Sequence, residues 1–279
     1  MSFEAKANYP GPFDERGIPL LDYRGRLGPQ YNPIAVAQYG LGNHNLFLLG
    51  RESDRLRRAL AAADWLVETL SRGPQGLWLW LHHFDWDYRE TLRAPWRSGL
   101  AQGQGISLLV RAHLETGREE YLDAALRAFE ALRAPVDRGG TLFIDERGDP
   151  WIEEYIVSPP THILNGFMWA LWGVYDLHQR ARIPEASSLW ERCIGTLLAH
   201  LGRYDCGFWS LYEQSGTWMR MLASPFYHRL HIVQLRIMHR LTNEPLFRKT
   251  ADRWEGYACN PWNRRRARLQ KAIFKLLYY

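Results

Sequence analysis

Glu154 and Tyr155 stand side by side in Glu153-Glu154-Tyr155-Ile156-Val157-Ser158-Pro159-Pro160. The two prolines bar the residues before them from helix, so an acid and a phenol sit in a polar turn ahead of an apolar run. Backbone geometry in such a turn can aim both groups at one cavity, where they would move protons. The plainer reading is a solvated Glu154 beside a Tyr155 that caps the core with a wet hydroxyl. Two further tyrosines invite the same question. Tyr212 closes the aromatic stretch Gly207-Phe-Trp-Ser-Leu-Tyr212, and Tyr227 follows Ser224-Pro225-Phe226 at a helix start. Tyr227, His231 and Gln234 are spaced to share one helical face and so to line one pocket, or to bridge to a neighbouring helix. Gln102 and Gln104, in a glycine-rich helix start, suit contacts to hydroxyls or backbone, with helix capping as the alternative.

The elements that must hold these residues are helical and paired. Apolar periodicity predicts helices over 33–49, 52–72, 100–117, 119–134, 161–181, 185–202, 226–242 and 244–258. Between the hairpins lie short aromatic or alternating stretches, Gly76–Tyr88, Gly140–Asp145 and Gly207–Tyr212, which read as β-ribbon inserts. A helix pair followed by an insert, repeated along the chain, predicts a mainly α fold. Its form is an incomplete α/α toroid of about four hairpins with short β inserts at one rim around a cavity. Three regions follow: an extended Pro- and Gly-rich arm over 1–32, the toroid over 33–260, and a basic amphipathic tail over 261–279.

With 46% hydrophobic and 14% aromatic residues among 279, a sizeable core forms and disorder is excluded. Cys193, Cys206 and Cys259 show no zinc spacing and read as reduced thiols, so no metal site is expected. The first residues lack the pattern of a secretory signal, and no run reaches the roughly 18 apolar residues of a membrane span. The chain therefore reads as soluble and cytoplasmic. A formal charge of +5 favours a polyanionic partner. In the tail, Arg264, Arg265, Arg266, Arg268 and Lys271 lead into Phe274, Leu276 and Leu277. This is either a terminal helix packed on the body with a solvated basic face, or a peripheral contact with an anionic membrane.

Four blocks in order, Tyr31–Leu41, Gln102–Ile106, Glu154–Leu177 and Tyr227–Leu235, resemble the C-terminal catalytic domain of the D-glucuronyl C5-epimerases from about residue 30 to about 257. The resemblance implies an incomplete helical barrel and inversion at C5 of glucuronate, to L-iduronate, within an acidic polysaccharide. It implies no cofactor, since nothing is oxidised or reduced. It places Glu154, Tyr155, Tyr212 and Tyr227 in the catalytic constellation and Gln102, Gln104, Asn165, His228, His231 and Arg220 around the substrate. Two departures stand out. The family's proline after the acid-Tyr pair is Ile156 here, and the Arg and His that closely follow the third tyrosine are replaced by Glu213-Gln214-Ser215. The cation that would hold the substrate carboxylate must come from elsewhere, with Arg220 or Arg229 as candidates.

Rival readings are a polysaccharide lyase, which shares the C5 deprotonation, and a non-catalytic carbohydrate-binding protein. A glycoside hydrolase would need a second carboxylate beside Glu154, from Asp145 or Asp205. The substrate partner expected is an acidic poly- or oligosaccharide rather than nucleic acid. The sequence does not set the oligomeric state; a homodimer is the candidate assembly.

Overall fold

The computed structural model describes residues 4–278; Met1–Phe3 and Tyr279, counted above in the arm and the tail, lie outside the described residues. After a one-turn helix α1 (Glu4–Ala7) come four hairpins: α2/α3 (Pro33–Gly50, Ser53–Thr69), α4/α5 (Gly99–Thr116, Glu119–Arg133), α6/α7 (Leu164–Ala181, Pro184–His200) and α8/α9 (Pro225–Thr242, Pro245–Cys259). A last helix, α10 (Pro261–Tyr278), follows Asn260. The inner helices start where local chemistry allows. Asn32 caps α2 by accepting from the Ile34 and Ala35 N–H groups, Ser98 caps α4 and Ser224 caps α8, while Pro33 and Pro225 occupy first-turn positions that need no N–H donor.

Each hairpin packs inner on outer helix, and the inner helices pack in sequence, α2 on α4, α4 on α6, α6 on α8. This is the incomplete α/α toroid. The α4–α6 contact is the tightest because it has no side chains between the backbones. A Cβ on Gly103 would lie 2.3 Å from Ala170 Cα, and one on Gly173 would lie 2.1 Å from the Gly103 carbonyl oxygen. On the other side of α4, a Cβ on Gly105 would meet Trp80 at 2.4 Å. Trp80 is fully buried and donates its indole N–H to Leu66 O at 2.7 Å. The glycine-rich block is thus a packing device on two fronts.

The inserts join each outer helix to the next inner one, so all of them gather at the N-terminal ends of the inner helices. The first contains β3 (Ser71–Arg72) paired with β4 (Trp78–Leu79), β5 (Leu81–His82) with β8 (Trp96–Arg97), and β6 (Trp86–Asp87) with β7 (Thr91–Leu92). The second is the hairpin β9 (Leu142–Ile144) and β10 (Pro150–Ile152). The third, over 205–222, is held by the bridges Asp205–Ser210 and Leu211–Leu222. The arm runs through a ribbon of β1 (Leu21–Asp22) and β2 (Pro29–Gln30), and packs α1 against α2.

Candidate active site

Glu154 follows β10 and is held under the first turn of α6. His162, just before α6, adopts a left-handed φ of 48°, a strained choice for a residue with a side chain. Glu153 holds it there: its carboxylate accepts from the His162 backbone N–H at 3.1 Å and contacts the ring Nδ1 at 2.5 Å. Trp151 stacks on the same ring at 4.3 Å. With Glu153 turned to His162, its neighbour Glu154 projects the other way, into a cavity of about 270 Å³.

The Glu154 carboxyl is buried, and Oε2 accepts no hydrogen bond from the described residues. Burial pushes its pKa up to about 8; the negative charge of Glu153 adds to this and a hydrogen bond from Tyr155 opposes it. Four phenols surround it. Tyr155 and Tyr227 line the same cavity. The Tyr212 ring lies 4.9 Å from that of Tyr227, and the Tyr88 ring 4.6 Å from that of Tyr155. Burial raises the Tyr155 and Tyr212 phenols well above their ordinary range, and Tyr227 also upward, with the Glu154 charge as the second cause in each case. These phenols therefore carry their protons at neutral pH, and Glu154 is a group that can lose or hold its proton there.

The structure brings Glu154, Tyr155, Tyr212 and Tyr227 together from three separate segments. Asn165, on the first turn of α6, lines the cavity with its Oδ1 unpartnered. Gln104 stands one layer back: its Oε1 accepts from Gln38, which lines the cavity.

Four of the expected substrate contacts are corrected by the geometry. Gln102 does not line the cavity; its amide is saturated by the Trp80 N–H and by the Trp78 and Ala128 carbonyls. His228 and His231 lie on the face of α8 turned to the body, both at Ser210 Oγ (2.7 and 3.0 Å), with His228 Nε2 on the Trp254 carbonyl at 2.9 Å. The cavity face of α8 is Tyr227 and Leu230, and Gln234 further down lines a second cavity of about 260 Å³. Arg220 lines a separate groove with Arg203 and Gln214.

Three features were not singled out in the sequence. Tyr88 donates to the buried Glu213, and Arg89 from the same β-ribbon makes an ion pair with that carboxylate and donates to Ser215 Oγ at 2.6 Å. Glu213, where the resemblance leads one to expect a cation, is thus paired between the first and third inserts. Lys6 of α1 lines the cavity and is the only basic residue that does so among the described residues. Much of its chain meets solvent, yet desolvation lowers its pKa. No sequence signal marks Lys6, since only the fold brings the arm to the cavity.

Neither Asp145 nor Asp205 reaches the cavity. Asp145, Asp149 and His200 form a cluster with metal-ligand spacing, but its groups serve one another. His200 Nε2 meets Asp149 Oδ2 at 2.6 Å, and Asp145 accepts from the Arg147, Asp149 and Trp151 N–H groups. Asp205 accepts from Trp254 Nε1 and pairs with Arg253. Glu154 is the one carboxylate lining the cavity among the described residues.

A helical toroid whose inner-helix ends frame a cavity is the architecture of a class of carbohydrate-active proteins. The fold is similar to that of a D-mannose isomerase (TM-score 0.61, 11% identity, 92% of this chain and 67% of that one). It is also similar to the GH76A α-1,6-mannanase of Salegentibacter (TM-score 0.62, 11% identity, 93% and 69%). Residues 73–256 match the family model described as D-glucuronyl C5-epimerase C-terminus, and the chain belongs to that family. It is 34% identical over 214 residues to the D-glucuronyl C5-epimerase of Caenorhabditis elegans. That match covers 71% of this chain and 34% of the nematode protein, so the chain spans about a third of its relative's length.

Proposed function

We propose that this chain is a cofactor-independent C5-epimerase of glucuronate residues in an acidic polysaccharide. The observation that carries the reading is a buried carboxyl, Glu154, whose Oε2 has no hydrogen-bond partner among the described residues and which is ringed by four phenols at the end of a sugar-sized cavity. Family membership supports the reaction type. Proton removal from C5 sends the C–H electron pair into the adjoining carboxylate, giving an enediolate with a second negative charge. An acid on the opposite face then returns a proton to C5, and nothing is oxidised or reduced. Glu154, hydrogen-bonded by Tyr155, takes one face, and the Tyr227 phenol, with Tyr212 packed on it, the other. Lys6 offsets the carboxylate's charge from the cavity mouth, and Asn165 hydrogen-bonds a sugar hydroxyl.

A hydrolase would need a second carboxylate across the bond, and Glu154 is the one carboxylate lining the cavity among the described residues. Incubation with glucuronate polymers in deuterated water tests the reading. Deuterium at C5 with iduronate formed is expected. Unsaturated, ultraviolet-absorbing ends would instead identify a lyase, and polymer binding without exchange a non-catalytic protein. Lys6→Met is expected to lower exchange through weaker substrate binding, with KM rising more than kcat falls, whereas Arg220→Met leaves both unchanged.

A further inference from the structure

We propose that α10 is an interfacial helix that seats this protein on an anionic lipid surface. The helix is attached to the body by one side only. Ala267 and Phe274 are buried, Lys271 donates to the Leu222 carbonyl at 2.9 Å, and Arg266 lies over the Phe208 ring at 3.8 Å. Turning at ~3.6 residues per turn, the helix then places Trp262, Leu269, Ile273 and Leu276 along the side away from that contact. Trp262 is 77% exposed, Leu269 63% and Leu276 86%. Trp218, in the third insert, is a further exposed large side chain at 89%, and the Met219 N–H beside it reaches the Tyr278 hydroxyl at 3.4 Å. Large apolar side chains lined up this way mark a contact surface.

Charge selects the occupant. Residues 261–278 contain no acidic residue, and exposed Arg264, Arg265 and Arg268 run beside the apolar strip without a carboxylate partner among the described residues. Two copies of such a helix would bring like charges together, which disfavours a second chain on this face. An acidic polysaccharide would satisfy the arginines but has nothing to cover Leu269 and Leu276. A bilayer with anionic headgroups meets both, taking the apolar strip at the acyl boundary and the arginines at the phosphates. No helix among the described residues is long and apolar enough to cross a membrane, so α10 would lie on the surface. Because the same helix holds Lys271 on the Leu222 carbonyl and over the Tyr212 ring, lipid contact would be made by an element that also touches the insert carrying Tyr212.

The test is sedimentation of the full chain with phosphatidylcholine vesicles containing phosphatidylserine, and with phosphatidylcholine alone. Strong binding to the first, falling with salt, and weak binding to the second are expected. The triple change Arg264→Gln, Arg265→Gln, Arg268→Gln should weaken binding about a hundredfold, at about five-fold for each charge. Leu269→Ser with Leu276→Ser should abolish it, and thermal melts of both variants should match wild type because these side chains are exposed. Equal affinity of the leucine variant and wild type, or no binding to the acidic vesicles, would overturn the proposal. So would a wild-type dimer in sedimentation equilibrium that the leucine variant dissolves, since the strip would then belong to a second copy. C5 exchange on soluble polymer is read separately, so failure here leaves the proposed reaction standing.

Discussion

Gly166 lacks a side chain where the Glu154 carboxyl lies: a Cβ there would stand 2.1 Å from Glu154 Oε2 and 2.9 Å from Glu154 Cβ. The first turn of α6 and the acid that precedes it therefore fit only as a pair, and Asn165, one residue earlier, is set into the same cavity by that fit.

Gly166→Ala follows directly. The added methyl must displace the carboxyl, and overpacking of this kind costs about 1–3 kcal/mol. We expect a folded protein with a modestly lower melting temperature and a far larger loss of C5 exchange. Exchange at the wild-type rate would mean that the placement of Glu154 is irrelevant to the reaction.

Glu154 should weaken the fold as pH rises. Its pKa moves from 4.5 to about 8 on burial, so the native state holds a proton that the unfolded state releases. The contribution is most favourable below pH 4.5, declines through the interval up to about 8, and is level above it. Glu154→Gln removes the dependence. The melting-temperature advantage of the variant over wild type should widen across that interval, and parallel melting curves at all pH values would refute the burial.

His228 and His231 give the opposite slope. Burial lowers their pKa values from 6.5 to about 4 and about 3, so they fold as neutral rings while the unfolded chain takes up protons below 6.5. Stability present above pH 6.5 is lost as pH falls toward those values. Acid titration followed by circular dichroism should show this loss, and His231→Leu should shift its midpoint to lower pH.

Tyr227→Phe keeps the ring packed on Tyr212 and removes only the hydroxyl. A general acid or base contributes typically 10²–10⁴ in rate, so C5 exchange should fall by about that factor. Far-ultraviolet circular dichroism should be unchanged. Equal exchange in variant and wild type would move the acid to Tyr155 or Tyr212.

The helical hairpins are legible because caps, prolines and apolar period all act within one segment. The errors are tertiary. The helix expected from 161 begins at Leu164 because Glu153 holds His162 in a left-handed conformation that no helix accepts. The one expected to 72 stops at Thr69 because Ser71 and Arg72 pair with Leu79 and Trp78. At the site, the acid and three tyrosines were visible as motif residues. Tyr88 and Lys6 were not, since each comes from a segment with no periodicity whose position depends on what it packs against. The α8 histidines misled for a related reason. Spacing shows that residues share a side of a helix, but not which of two adjoining sides meets the cavity.

The backbone contact of Gly103 with Gly173 divides the molecule mechanically. Helices that touch without intervening side chains cannot slide or repack by changing rotamers, so the wall between α4 and α6 is a fixed frame. Any adjustment to sugars of different linkage or substitution falls to the parts hung from that frame: the arm with Lys6, the ribbon with Tyr88 and Arg89, and the loop before α8. Laboratory selection for altered substrates should accordingly gather its changes in those three segments and leave the glycines untouched.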